Sequence, residues 1–139
     1  MTVQDVRQIG ITIAVPLERA YAFAHHPVNF MRWAAGLANT LHEAEGGWVA
    51  DTPEGRARVE FSPPNDWGIL DHRVRLEGKP EIYVPVRMMA NGSGTEVVLT
   101  LFRQPGMNDS DFDRDEAAVR RDLVSLKTVL ENEARRVGP

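Results

Sequence analysis

Apolar residues in the last third of the sequence recur at steps of three and four, the spacing of one face of a helix. The pattern predicts a helix over residues 108–137 with one narrow apolar stripe. The stripe consists of Phe112, Val119, Leu123, Leu126, Leu130, Ala134 and Val137. At roughly 1.5 Å per residue this helix would be about 43 Å long. A helix of that length needs a broad apolar surface to pack against.

Seven segments before this helix have the alternating or short apolar patterns of strands. The predicted strands cover residues 6–15, 40–45, 47–51, 56–62, 69–76, 81–90 and 95–104. Their connections are too short for parallel crossovers, so we expect one curved, seven-stranded antiparallel sheet. Two short helices are predicted after the first strand, at residues 17–24 and 28–35, with Gly36 as the cap of the second. The predicted fold class is α+β.

Composition and charge argue against several classes of function. The 139 residues carry a net charge of −4 and no cysteine. This balance argues against a nucleic-acid partner, and the missing cysteines exclude disulfide or thiolate chemistry. No apolar run approaches the ~20 residues of a membrane span, and residues 1–10 lack a signal-peptide core. We therefore expect a single cytoplasmic domain over residues 1–139, a monomer or homodimer that does not insert into membranes.

Several local sequences resemble a known family. These are the run Ile13 to Pro16, the run Trp67 to His72, the run Tyr83 to Arg87 and the run Thr100 to Met107, together with Trp33 before Gly36. They are similar to the SRPBCC superfamily of helix-grip proteins, which includes START lipid-transfer domains, and within it to bacterial polyketide cyclase/dehydrase-like proteins. The resemblance covers almost the whole chain. It implies a deep, mostly apolar cavity between the sheet and the long helix, and no cofactor.

The strand phases predict which residues line that cavity. We expect the lining to consist of Trp33, Ala57, Val59, Phe61, Leu70, His72, Val84, Val86, Met88, Leu123, Leu126 and Leu130. His72 shares its phase with Leu70, Val74 and Leu76, so it should face inward, whereas Asp71 should point away. A histidine there is a candidate general acid–base. The favoured interpretation is a core or cavity-wall residue whose nitrogens are satisfied by backbone or water, because the sequence shows no orienting partner for it.

Other polar residues are weaker candidates. Tyr83 and Arg87 should lie on the outer face, although Pro85 between them could break the strand pairing and turn one of them inward. Asp122 and Glu133 border the helical stripe and could reach the mouth of the cavity. The four histidines show no metal-ligand spacing, so we expect no metal site.

Two functions remain open at this stage. In the first, the domain binds a small apolar or aromatic molecule as a carrier or sensor. In the second, it is a lyase- or isomerase-like enzyme that uses acid–base chemistry at His72. A partner-binding role like that of the co-chaperone branch of the superfamily is a third, less favoured possibility. The scarcity of titratable residues facing inward favours the first.

Overall fold

A computed structural model describes residues 2–34 and 40–137. Within this part of the chain, eight strands and three helices follow one another. The strands are β1 (Val6–Ile13), β2 (His42–Ala44), β3 (Gly47–Thr52), β4 (Gly55–Phe61), β5 (His72–Leu76), β6 (Ile82–Val84), β7 (Val86–Asn91) and β8 (Gly94–Phe102). The helices are α1 (Leu17–Ala24), α2 (Pro27–Phe30) and α3 (Asp109–Val137).

The strands form two antiparallel sheets. One has the order β1-β8-β7 and the other the order β2-β3-β4-β5-β6. The predicted single sheet of seven strands is therefore wrong in strand count, although the antiparallel arrangement and the fold class are confirmed. The difference arises at Pro85, which has no N–H for a ladder hydrogen bond and separates β6 from β7. Its carbonyl instead accepts a hydrogen bond from the Thr100 N–H at 3.0 Å.

Helix α3 carries the predicted apolar stripe. Phe112, Leu123, Leu126 and Leu130 are buried, and Val119 and Ala134 pack against the core. Polar contacts attach the same helix to β1 and the turn after it. The Lys127 ammonium donates to the Thr12 carbonyl at 2.9 Å, and the Glu131 carboxylate accepts from the Ala14 N–H at 2.8 Å. The side of α3 that grips the sheet is thus fixed by both burial and hydrogen bonds.

The two short helices lie where the sequence predicts them, but the second is shorter than expected. Helix α1 matches its predicted bounds, whereas α2 ends at Phe30 and continues as turns through Trp33. The expected end at Ala35 and the cap at Gly36 lie outside the described residues. Phe30 and Trp33, three residues apart, lie on the same side, and their rings meet edge to face at 5.1 Å.

Strand β5 begins at His72, three residues later than predicted. Before it, residues 63–70 form a loop that is joined to β7 by an isolated bridge between Ile69 and Arg87. Backbone hydrogen bonds of 2.8 Å from the Leu70 N–H to the Val86 carbonyl and from the Met88 N–H to the Gly68 carbonyl accompany this bridge. Two prolines at positions 63 and 64 and the left-handed Gly68 explain why a regular strand does not form there. Leu70 of this loop and Phe30 and Trp33 of the α2 segment line the same small space.

Candidate functional site

His72 lies inside a cluster of aromatic rings. Its ring centre is 5.3 Å from that of Phe30 and 6.0 Å from that of Phe61. Phe61 is paired with His72 across β4 and β5, and Phe30 reaches both from α2. Edge-to-face packing of this kind holds rings at defined positions. The cluster therefore combines one polar ring with an otherwise apolar wall.

The loop at residues 63–70 fixes the other side of this cluster. The Asn65 side chain accepts from the N–H groups of Trp67 and Ile69 and donates to the Ile69 carbonyl, all within 3.0 Å. The Asn65 N–H donates to the Tyr21 hydroxyl at 2.9 Å, which ties the loop to α1. Gly68 has φ +69° and would place a Cβ only 2.2 Å from the Met88 carbonyl oxygen, so only glycine fits this approach.

The imidazole of His72 is a neutral group at pH 7. It is 8% exposed, and burial lowers its pKa, an effect that the Leu70 carbonyl and Asp71 only partly offset. Its Nδ1 lies 3.3 Å from the Leu70 carbonyl oxygen. Because a carbonyl can only accept, Nδ1 carries the proton in this contact and Nε2 is the nitrogen with a free lone pair.

A small cavity of about 20 Å³ opens beside this ring. It is lined by Ala24, His25, Phe30, Trp33, Phe61, Ser62, Leu70 and His72. Trp33 is only 5% exposed, and its indole N–H has no hydrogen-bond partner in the described parts of the chain. The cavity thus joins aromatic walls to a neutral imidazole and a tryptophan whose donor is unused.

Asp71, the neighbour of His72, points to the outer face and is fully engaged there. Its carboxylate accepts two hydrogen bonds from the Arg87 guanidinium at 2.8 and 2.9 Å, one from the Tyr83 hydroxyl at 2.8 Å and one from the Val86 N–H at 2.9 Å. Burial alone would raise the pKa of Asp71, but these hydrogen bonds outweigh it and lower the pKa. The pKa of Tyr83 is raised, mainly because its hydroxyl donates to this carboxylate.

The structure brings only part of the predicted cavity lining to this space. Trp33, Phe61, Leu70 and His72 line the small cavity. The remaining predicted residues do not line it: Ala57, Val59, Val86, Met88, Leu123, Leu126 and Leu130 are buried, and Val84 is half-buried. A ligand can touch the buried ones only if side chains move apart. Their role in ligand contact stays a prediction.

Four lining residues were not among the predicted ones. Ala24, His25, Phe30 and Ser62 contribute to the cavity. Phe30 could have been included, since its three-residue spacing from Trp33 already placed both on one side. Ser62 could not, because its position depends on where β4 ends and on its two hydrogen bonds to the Asp71 carbonyl.

The other polar candidates lie outside the cavity lining. Glu133 forms an ion pair with Arg32 at 2.8 Å, both of them well exposed, and Asp122 is half-buried on α3. Trp67 is 76% exposed, whereas Trp48 packs edge-on to Phe61 with ring centres 6.4 Å apart. No three histidine, aspartate or glutamate side chains within residues 2–34 and 40–137 form a group that could hold a metal ion. No helix in the same ranges is long and apolar enough to cross a membrane.

The architecture is that of several solved proteins. DynU16, described as a protein of the dynemicin biosynthetic locus, superposes with a TM-score of 0.68 at 17% identity, over 93% of this chain and 48% of its own. CalU16 from Micromonospora echinospora gives a TM-score of 0.62 at 17% identity, over 90% of this chain and 73% of its own. For Ara h 8.0201 the TM-score is 0.63 at 13% identity, over 94% of this chain and 99% of its own.

These likenesses establish the fold. This chain spans about half the length of DynU16, 48% of it. No protein-family model matches the sequence, and no curated protein matches it either. The chain has the helix-grip fold, as its sequence landmarks predict.

Proposed function

We propose that this protein binds a small, largely apolar molecule between its sheet and α3, as a carrier or sensor. The observation that carries the proposal is the aromatic cavity around His72, whose lining comes from α1, the α2 segment, β4, β5 and the residues next to these strands. Binding sites for small molecules are typically concave and apolar, with few polar groups to fix orientation. Phe30 and Phe61 supply the apolar wall, while Trp33 and His72 supply the polar groups.

The small volume of the cavity supports a binding route in which the cavity expands. At about 20 Å³ it accommodates roughly one water molecule, whereas ligand pockets commonly measure about 300–1,000 Å³. A ligand therefore enters by parting the aromatic cluster and the core side chains behind it. The predicted lining residues on β4, β7 and α3 would become the ligand's contacts in this expanded state.

The surroundings of His72 favour binding over catalysis. A general acid–base usually needs an orienting partner and a second group that acts on the substrate. Asp71 is the nearest carboxylate in sequence, but Arg87, Tyr83 and Val86 occupy both of its oxygens on the outer face. The imidazole contacts the Leu70 carbonyl at a long 3.3 Å, and its other neighbours in the cluster are apolar rings.

A lyase- or isomerase-like activity is the second candidate. The observation that favours it is the neutral His72 imidazole, with its proton on Nδ1 and a free lone pair on Nε2. Such a ring can take a proton from a bound substrate at neutral pH. Measuring conversion separately from binding distinguishes this candidate from a carrier.

The test of binding uses the neutral fluorescent probe N-phenyl-1-naphthylamine. The wild-type protein is titrated with the probe beside two variants of α1, Ala24→Val and Ala22→Val. Ala24 is buried and lines the cavity, whereas Ala22 is exposed, so the second variant controls for the helix cost of valine. We expect Ala24→Val to weaken binding by about tenfold or more, equivalent to about 1.4 kcal/mol, and Ala22→Val to leave it unchanged.

Two results would contradict the proposal. One is wild-type binding no stronger than that of an unrelated globular protein. The other is equal affinity in Ala24→Val and Ala22→Val, because the probe would then occupy another surface. Thermal unfolding of both variants confirms that each is folded before the affinities are compared.

A further inference from the structure

Trp33 has a polar group to which the described residues offer no acceptor. Its indole N–H is buried and lacks a hydrogen-bond partner among residues 2–34 and 40–137. Buried side-chain donors in folded proteins are nearly always paired, and one that is not destabilises the free protein. The same tryptophan lines the cavity beside His72. A ligand acceptor placed against the indole N–H would satisfy this donor.

The other polar groups around the cavity are hydrogen-bonded within the protein or uncharged. The Ser62 hydroxyl donates to the Asp71 carbonyl at 2.7 Å, and His72 Nδ1 contacts the Leu70 carbonyl. Burial lowers the pKa of His25, with a further contribution from His26, and burial also lowers the pKa of His72. None of the lining residues that the structure describes is Asp, Glu, Lys or Arg.

The uncharged lining favours a ligand whose polar end is also uncharged. A carboxylate would lose its hydration in the cavity without a cation to compensate it, which is costly in an apolar site. A neutral carbonyl oxygen loses much less on leaving water, and it accepts hydrogen bonds without donating any. A neutral carbonyl oxygen is therefore the group that matches both the uncharged lining and the donor of Trp33.

We propose that the Trp33 indole N–H donates a hydrogen bond to a neutral carbonyl oxygen of the ligand, which identifies the ligand class as apolar or aromatic ketones and their relatives. This inference rests on the proposed function, since it specifies the ligand of the same cavity. Trp33 is a specificity-determining residue in this assignment. The aromatic rings of Phe30 and Phe61 contact the apolar body of the ligand.

The experiment compares three probes of similar size: 2-acetonaphthone, which has a ketone, 2-ethylnaphthalene, which lacks the oxygen, and 2-naphthoate, which is charged. Dissociation constants are obtained by displacement of N-phenyl-1-naphthylamine. They are measured for the wild type, for Trp33→Phe and for Trp67→Phe, the last being a control at an exposed tryptophan. The readout is the ratio of the hydrocarbon and ketone dissociation constants, because this ratio cancels changes that affect both probes equally.

We expect Trp33→Phe to lower this ratio by about tenfold, the effect of one hydrogen bond to a buried donor. Hydrocarbon affinity should change by less than about threefold, since phenylalanine keeps an aromatic ring at the position. Trp67→Phe should leave both constants unchanged. The carboxylate should bind more weakly than the ketone to the wild type.

A second measurement uses the wild-type protein and does not depend on any variant. The indole N–H resonance of Trp33, recorded in ¹H–¹⁵N spectra, should move downfield on addition of 2-acetonaphthone and not on addition of 2-ethylnaphthalene. Hydrogen exchange of the same proton should slow with the ketone.

The outcomes separate this inference from the proposed function. If neither neutral probe binds, the proposed function fails. If both bind and the ratio is the same in the wild type and Trp33→Phe, the protein binds apolar ligands but Trp33 does not select a carbonyl. Stronger binding of 2-naphthoate than of 2-acetonaphthone would overturn the assignment of a neutral oxygen.

Discussion

Asp71 and His72 are adjacent in sequence and differ completely in how their polar atoms are used. Asp71 faces outward, where four hydrogen bonds from Arg87, Tyr83 and Val86 occupy both carboxylate oxygens. His72 faces inward among aromatic rings, where one long contact to Leu70 is the hydrogen bond that orients it. The Asp71 carboxylate therefore stabilises the structure at the break between β6 and β7. The inner group is held mainly by packing and retains the capacity to bind something else.

The same contrast applies to the surroundings of the two residues. On the outer face, charges are neutralised by neighbours, as with Arg73 and Arg75, which both pair with Glu81. At the inner end, the tryptophan donor and the imidazole acceptor have little to pair with in the protein. Polar groups that a fold leaves unpaired inside a cavity are the ones available to a ligand.

The largest change in the free energy of unfolding is expected where α3 packs on the sheet. Leu126→Ala should destabilise the protein by about 2–5 kcal/mol, because it removes a fully buried side chain of α3. Val124→Ala is the matched control on the same helix, since Val124 is 54% exposed and should change stability by less than about 0.5 kcal/mol. Urea unfolding measures both. Equal effects of the two variants would mean that α3 does not grip the sheet as described.

An intermediate change in the free energy of unfolding is expected at Asp71, on the outer face. Asp71→Ala should cost about 1–3 kcal/mol, because it leaves the buried Val86 N–H without its acceptor and releases Arg87 and Tyr83. The affinity for N-phenyl-1-naphthylamine should stay within about threefold of the wild-type value, since Asp71 faces away from the cavity. Urea unfolding and probe titration of the same sample give both numbers. A large loss of affinity with little loss of stability would reverse the roles assigned to the two faces.

The smallest effect is the contribution of His72 to the pH dependence of stability. The pKa of His72 is lowered in the folded protein, so the unfolded chain binds more protons as the pH falls below its usual value of about 6.5. Stability should therefore be constant above that pH and should decrease between pH 6.5 and 5, and this slope should be shallower in His72→Gln.

His25 provides the comparison for this slope. The pKa of His25 is also lowered, so His25→Gln should remove a separate part of the same slope. The lowered pKa of Asp71 acts in a different window, because its stabilisation is present above about pH 4 and is lost only on further acidification. Denaturation midpoints from pH 5 to 7.5 test the prediction, and identical slopes in the wild type and His72→Gln would contradict the neutral, buried imidazole.

Periodicity in the sequence was sufficient to predict most of the fold. The three- and four-residue spacing of Leu123, Leu126 and Leu130 located α3, and alternation placed His72 inside and Asp71 outside. Pro85 was recognised as a possible break, but a local pattern does not show whether a proline only interrupts pairing or divides a sheet. That outcome depends on the Thr100 N–H and the Asp71 carboxylate, which lie far from Pro85 in sequence.

The candidate site was less predictable. Strand phase correctly indicated that His72 faces inward, but it gave no information on the volume left beside the ring. The unpaired indole of Trp33 follows from three-dimensional packing and has no signature in the sequence. The four-fold engagement of Asp71 combines residues from two strands and a loop, so it too appears only once the chain is folded.

A paired measurement of binding and conversion distinguishes a carrier or sensor from an enzyme. The wild type and His72→Gln are incubated with 2-acetonaphthone and with hydroxylated aromatic and polyketide-like compounds. The bound fraction is determined by probe displacement, and the mass and structure of each recovered compound by mass spectrometry and NMR. We predict that the wild type binds and returns the compounds unchanged, and that His72→Gln alters affinity only modestly. Conversion by the wild type that falls by about 10²–10⁴-fold in His72→Gln, the usual contribution of an acid–base group, would contradict a carrier or sensor and identify an enzyme.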